Sequence, residues 1–184
     1  MADLRALVDV DDLFQEEQIT EHLVPLRNAV PTLRVTAYAI PNKLGSVATL
    51  RGRYPWITFG IHGFEHTPFE CRAWTQTHAE DLIAQALSMG YNAIFKPPNW
   101  IFDVETEVAC RNLGVVLHHH ARDLPVTAGL RHYSGAQSAP HAYIHTHITE
   151  NPATDFIKYH PGFRVESLQN FDGFVDPQDL AEEI

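Results

Sequence analysis

Trp56-Ile57-Thr58-Phe59-Gly60-Ile61, followed at once by His62-Gly63-Phe64-Glu65-His66, decides how this chain is read. The first six residues are rich in β-branched and aromatic side chains and suit a buried strand. The next five carry two histidines four positions apart. On a helical turn that spacing puts both imidazoles on one face, close enough to share one ion. A strand that runs directly into metal-ligating residue types fits a parallel α/β fold, where the active face lies at the C-terminal ends of the strands.

The same pattern recurs on both sides of this stretch. Residues 4–10 read as an apolar strand and lead into Asp11 and Asp12. Residues 20–29 suit a helix, residues 33–40 a strand that stops at Pro41, and residues 43–51 a weaker helix. Thr77 opens the clearest helix, because Thr77-His78-Ala79-Glu80 has capping-box spacing and Gly90 stands where a C-terminal glycine belongs. Residues 91–95 form the next strand and are followed by Lys96-Pro97-Pro98-Asn99-Trp100. Asp103 caps a helix ending near Gly114, and residues 115–117 lead into His118, His119 and His120. Residues 142–148 carry His145 and His147 near their end, and Asp176-Pro177 starts a short terminal helix. Residues 122–140, with Gly, Ser and Pro, read as a rim loop. Strand and helix in alternation imply one α/β domain over residues 1–184, with a mainly parallel sheet and right-handed crossovers, open or closed into a barrel.

Composition narrows the function. The 184 residues are 45% hydrophobic, enough for one core, and the formal net charge is −10 with neutral histidines. An acidic chain without a basic run is poorly suited to gripping nucleic acid phosphates or anionic membranes. No apolar stretch approaches the length of a membrane span, and residues 1–5 do not open a signal peptide, so the expected location is cytoplasmic. Cys71 and Cys110 are isolated and read as packing residues. The 12 histidines are the unusual feature, and their positions matter more than their number. His22, His78, His132, His141 and His160 have no partner pattern and are expected at the surface. His118, His119, His120 and Asp123 are not expected as primary ligands.

Five segments thus bring polar residues to one mouth. His62 and His66 with a carboxylate from Asp11-Asp12 make a two-histidine, one-carboxylate set that leaves positions open for water and substrate. Zinc is the default ion, and cobalt, nickel, manganese or iron would accept the same ligands. Of two adjacent aspartates, one can bind the ion while the other acts as a base, and a histidine from the last strand can protonate a leaving group.

With these residues placed, the chain resembles a short, divergent polysaccharide deacetylase of the NodB-homology, or carbohydrate esterase family 4, type. Val10-Asp11-Asp12 resembles the family's first motif, His62 and His66 its second, 95–100 its third, and His147, with His145 as rival, its last. The resemblance implies an incomplete (β/α)7 barrel, Asp11 as catalytic base, Asp12, His62 and His66 as metal ligands, and His147 or His145 as general acid. It also implies that Lys96, Pro98 and Trp100 border the substrate. Leu13, Gly63 and Lys96 depart from the usual Gly, Ser or Thr, and Arg; that Arg often tethers the base, and Lys96 can place a charge near Asp11 without the fork geometry. These departures turn the expectation from a chitin-like polymer towards a smaller acylated sugar conjugate. The implied activity is metal-dependent removal of an acyl group, acetyl by default, from an N- or O-acylated sugar. Two alternatives are another C–N bond amidohydrolase on a non-sugar substrate and an inactive carbohydrate-binding domain of the same fold.

Overall fold

A computed structural model describes residues 4–120, 125–134, 141–148 and 164–184. Its strands are β1 (Arg5–Leu13), β2 (Val35–Ala39), β3 (Ile57–His62), β4 (Ile94–Lys96), β5 (Val116–His119), β6 (Arg131–Ser134), β7 (His141–His147), β8 (Gly173–Val175) and β9 (Glu182–Glu183). They form one sheet in the order β7-β1-β2-β3-β4-β5-β6-β9. β1 to β7 are parallel throughout, and only the short β9 runs antiparallel, against β6. Among the described residues β6 and β7 do not pair, so the seven parallel strands curl into an incomplete barrel.

Alternation along each strand sorts side chains between two cores. Ala6, Val8 and Val10 of β1, Phe59 and Ile61 of β3, Phe95 of β4 and Leu117 of β5 point outward. There they meet Ala79, Ile83 and Ala86 of the Gln76–Ser88 helix and Ala109 and Cys110 of the Val104–Asn112 helix. Burial of each large aliphatic side chain of this kind contributes about 1.5–3 kcal/mol. Inside the barrel, Leu7, Val116 and Tyr133 pack with Tyr143, Val175, Leu180 and Ala181. The C-terminal segment therefore fills the barrel at the N-terminal ends of its strands. It is fastened there by Asp176, which accepts hydrogen bonds from Arg34 and Thr36. The strand ends opposite this plug are left for the polar residues.

Several elements differ from expectation. β1 extends to Leu13 and so contains Asp11 and Asp12 rather than preceding them. The clearest helix begins two residues early: Thr75, not Thr77, is its cap, its hydroxyl accepting the His78 N–H. Gly90, at φ +96, does follow that helix. The region expected as one helix over 20–29 begins at Glu16 and widens into a π-turn over Ile19–Leu23 before Val24–Ala29. Pro25 has no N–H to give to the preceding turn, which is compatible with that widening. The weak helix over 43–51 is two short ones, Pro41–Leu44 and Ala48–Arg53, split at Gly45 (φ +76). Strand β6 lies within the expected rim loop. His22 and His132 are buried, not surface, whereas His78 is exposed. Cys71 and Cys110 are free and buried in the outer core. Asp123 and His160 lie outside the described residues.

Candidate active site

The end of β1 makes the site possible. Asp9 and Asp11 face the barrel interior, opposite in sense to Val8 and Val10. The pairing with β2 then slips: Val10 sits opposite Ala37, but Leu13 opposite Ala39. The extra residue is a bulge, and Asp12 takes φ +66 within it, a left-handed conformation that Asp tolerates better than most residues. Asp11 and Asp12, which a regular strand would send to opposite faces, both reach the mouth.

Asp12 faces the two histidines of the opening motif. Its Oδ1 lies 2.9 Å from His66 Nε2 and 3.4 Å from His62 Nε2. The histidines do not share a helical face, as their spacing suggested. His62 ends β3, and the chain turns through Gly63 (φ +58) and His66 (φ +61), bringing the imidazole centroids to 4.8 Å. Glu70 holds this loop, its carboxylate accepting the N–H groups of Phe64, Glu65 and His66 at 3.1–3.2 Å.

Behind the mouth is a buried charge network. Lys96 has no exposed surface, and its ammonium donates to Asp9 Oδ2 at 2.6 Å and Asp11 Oδ1 at 2.7 Å. The β1–β7 register places His145 beside Asp9 and His147 beside Asp11. His145 Nδ1 lies 2.9 Å from Asp9 Oδ1, and Tyr143 donates to Asp9 Oδ2. The outer nitrogen of His145 is 3.8 Å from Asp11 Oδ2, and His62 Nε2 is at the same distance from that oxygen. His147 is half-exposed, with Nδ1 3.0 Å from Asp12 Oδ2. Trp100 roofs the network, with its ring 4.1 Å from the Lys96 ammonium and 5.6 Å from the His145 ring.

Electrostatics separate these groups. Burial pushes the Asp12 carboxyl upward, but the imidazoles of His147, His62 and His66 outweigh it and hold Asp12 far below the usual carboxylate range. The Asp12 contact in turn raises His66 and His147. Burial also opposes ionisation of Asp9, and Lys96 and His145 overcome it. His118, at the inner wall, is pushed well down by burial and by Lys96, and its Nδ1 meets the Tyr38 hydroxyl.

Asp12, His62 and His66 fit a divalent cation. One ligand-capable atom from each lies within 4.8 Å of the others. Asp12 Oδ1 is buried beside the two imidazoles, and among the described residues no donor is aligned to hydrogen-bond it. His62 Nδ1 lies 2.9 Å from the Lys96 carbonyl, which can only accept. The Nδ1 proton is therefore inward, and the Nε2 lone pair is aimed at Asp12, as second-layer partners of metal-binding histidines usually arrange.

Of the residues singled out from sequence, Asp11, Asp12, His62, His66, His145 and His147 meet at one mouth. Lys96 and Pro98 are buried beneath it: Lys96 is enclosed by the two aspartates, with its charge on Asp11 as expected, and Pro98 lies against Gly63. Trp100 does border it. Glu70 and Asp9 are not among the residues singled out, yet both hold the site together. Asp9 stands two residues before Asp11, so strand alternation was a signal for it; Glu70 had none.

No protein-family model matches the chain, and no curated protein matches its sequence. Solved structures match across nearly its whole length. The Xyl-CE4 domain of a multidomain xylanase from the Trinervitermes trinervoides hindgut metagenome superimposes with a TM-score of 0.67 at 11% identity, covering 97% of this chain and 89% of that one. A family 4 carbohydrate esterase from Streptomyces lividans, in complex with acetate, gives 0.66 at 15% identity, covering 100% and 97%. This is the NodB-type fold of the family 4 carbohydrate esterases. A family 4 pseudoenzyme from Bacillus anthracis also has it, with a TM-score of 0.62 at 9% identity, covering 97% and 66%. The family 4 fold thus carries active and inactive members alike, and the residues at the mouth must decide between them.

Proposed function

We propose that this chain is a metal-dependent deacetylase that removes an acetyl group from an N- or O-acetylated sugar. One observation carries the reading: adjacent aspartates are turned to one mouth, Asp12 towards His62 and His66, and Asp11 towards the space beside them. A binding domain needs the first carboxylate but not the second.

A divalent ion held by Asp12, His62 and His66 supplies a Lewis acid that acidifies water and polarises the acyl carbonyl. Zinc is the default, and cobalt, nickel, manganese and iron suit the same donors. Asp11 is the base. Lys96 pins Oδ1, so Oδ2 is the oxygen free to take a proton from the attacking water. His145 is the acid. Asp9 holds its Nδ1, leaving Nε2 to return a proton to the departing amine or alkoxide. His147, half in solvent and turned to Asp12, is the weaker candidate. Trp100 offers an aromatic face to a sugar ring at the rim.

The test is acetate release from acetylated xylo-oligosaccharides and N-acetylglucosamine oligomers, with and without chelator, for the wild type and Asp11→Asn. The reading requires turnover that chelation abolishes and that Asp11→Asn lowers by about 10²–10⁴-fold. Equal turnover in both proteins would remove Asp11 from the chemistry. A bound ion with no turnover on any acylated sugar would leave a carbohydrate-binding domain.

A further inference from the structure

The mouth contains a second cluster with the donor set of a metal site. Asp11, His145 and His147 each offer an atom within 4.8 Å of the other two. We infer that these three residues form a second, weaker seat for a divalent cation, and that filling it shuts off hydrolysis. The inhibition rests on the deacetylase reading above; the seat itself does not.

Three features support the seat. The inner atoms of its donors are already held: Lys96 takes Asp11 Oδ1, and Asp9 takes His145 Nδ1. The outer atoms, Asp11 Oδ2 and His145 Nε2, are left 3.8 Å apart. Such backing fixes ligand orientation before an ion arrives. Asp12 also spans both clusters, with Oδ1 towards His62 and His66 and Oδ2 3.0 Å from His147. A carboxylate reaching both ways suits paired ions, which in hydrolases lie roughly 3.5–4 Å apart.

Charge sets the order of filling. Asp9, Asp11 and Asp12 against Lys96 leave the cluster two negative charges, which one dication neutralises. A second dication adds uncompensated positive charge close to the Lys96 ammonium, so it binds more weakly. Its donors include the proposed base Asp11 and acid His145. With both lone pairs engaged, neither can move a proton.

Calorimetric zinc titration of protein already carrying one equivalent tests the seat, with His147→Ala as the variant. His147 is half-exposed, so its loss leaves the fold intact, which circular dichroism checks. The wild type should take up one further ion. His147→Ala should weaken that ion at least about tenfold, by more than it weakens the first. Uptake of no second ion, or a second ion indifferent to His147→Ala, overturns the seat. In an acetate-release assay, the zinc concentration that halves each protein's own uninhibited rate should rise in His147→Ala by the same factor. Occupancy of the second seat without loss of rate overturns the inhibition. Absence of turnover altogether defeats the deacetylase reading, while calorimetry still decides the seat.

Discussion

Gly63 and Glu70 touch so closely that no side chain fits between them: a Cβ on Gly63 would lie 1.6 Å from Glu70 Oε1, at a backbone φ of +58. Glu70 occupies that space because it collects three N–H groups of the loop that carries His66. Gly63→Ala should therefore displace the carboxylate and destabilise the chain by more than the roughly 1–2 kcal/mol of the left-handed conformation alone. It should also weaken metal binding. Urea unfolding and metal titration measure the two effects. A variant unchanged in both would show that His66 does not depend on this contact.

Lys96 donates to both Asp9 and Asp11, and among the described residues no other lysine or arginine does. Lys96→Met leaves two buried carboxylates without it and should cost about 3–5 kcal/mol in metal-free protein. Lys96→Arg should not restore the loss, since a planar fork is a poor substitute for a point charge in an enclosed site. Urea midpoints of the three proteins decide this; wild-type stability in Lys96→Met would contradict it.

A buried histidine pair makes stability depend on pH. His119 Nε2 lies 3.0 Å from His132 Nδ1. Burial, reinforced by His132 and His120, pushes His119 down to about 4, against an unfolded value of about 6.5. The unfolded chain therefore binds the proton first as pH falls. The stabilisation is full above about pH 6.5 and is lost progressively towards pH 4, amounting to about 3 kcal/mol at most. Urea midpoints between pH 7 and 4.5 should fall more steeply in the wild type than in His119→Gln. Parallel curves would take His119 out of the account.

Asp9 distinguishes His145 from His147 on β7. If His145 is the acid, His145→Gln should lower kcat by about 10²–10⁴-fold with little change in KM. His147→Gln should lower it less. Asp9→Asn should alter the pH profile of kcat, because the charge beside His145 Nδ1 is gone. A larger loss in His147→Gln would reverse the assignment.

How far the site was legible follows from the reach of each signal. Asp11-Asp12 and His62/His66 are unusual residue types at strand ends, so local sequence exposes them. Six of the seven parallel strands are equally local; β6 is short and polar, so Arg131-His132-Tyr133-Ser134 reads as part of a loop. Geometry that depends on distant partners was not legible. The spacing of His62 and His66 suggested a helical turn, whereas Glu70 folds a left-handed loop. The resemblance sets the Lys96 charge near Asp11, but nothing local shows that Asp9, over eighty residues away in sequence, closes on the same ammonium and buries it. Thr75 displaced Thr77 as a cap for a smaller reason: both threonines can cap, and the helix begins at the earlier one.

The most direct measurement is metal content by elemental mass spectrometry after dialysis, for the wild type, Asp12→Ala and His66→Ala. About one ion per chain in the wild type, lost in both variants with the fold intact, is the result expected from the geometry around Asp12 Oδ1. A wild type that holds no ion after incubation with zinc, cobalt and nickel would contradict the metal-dependent reading at its base.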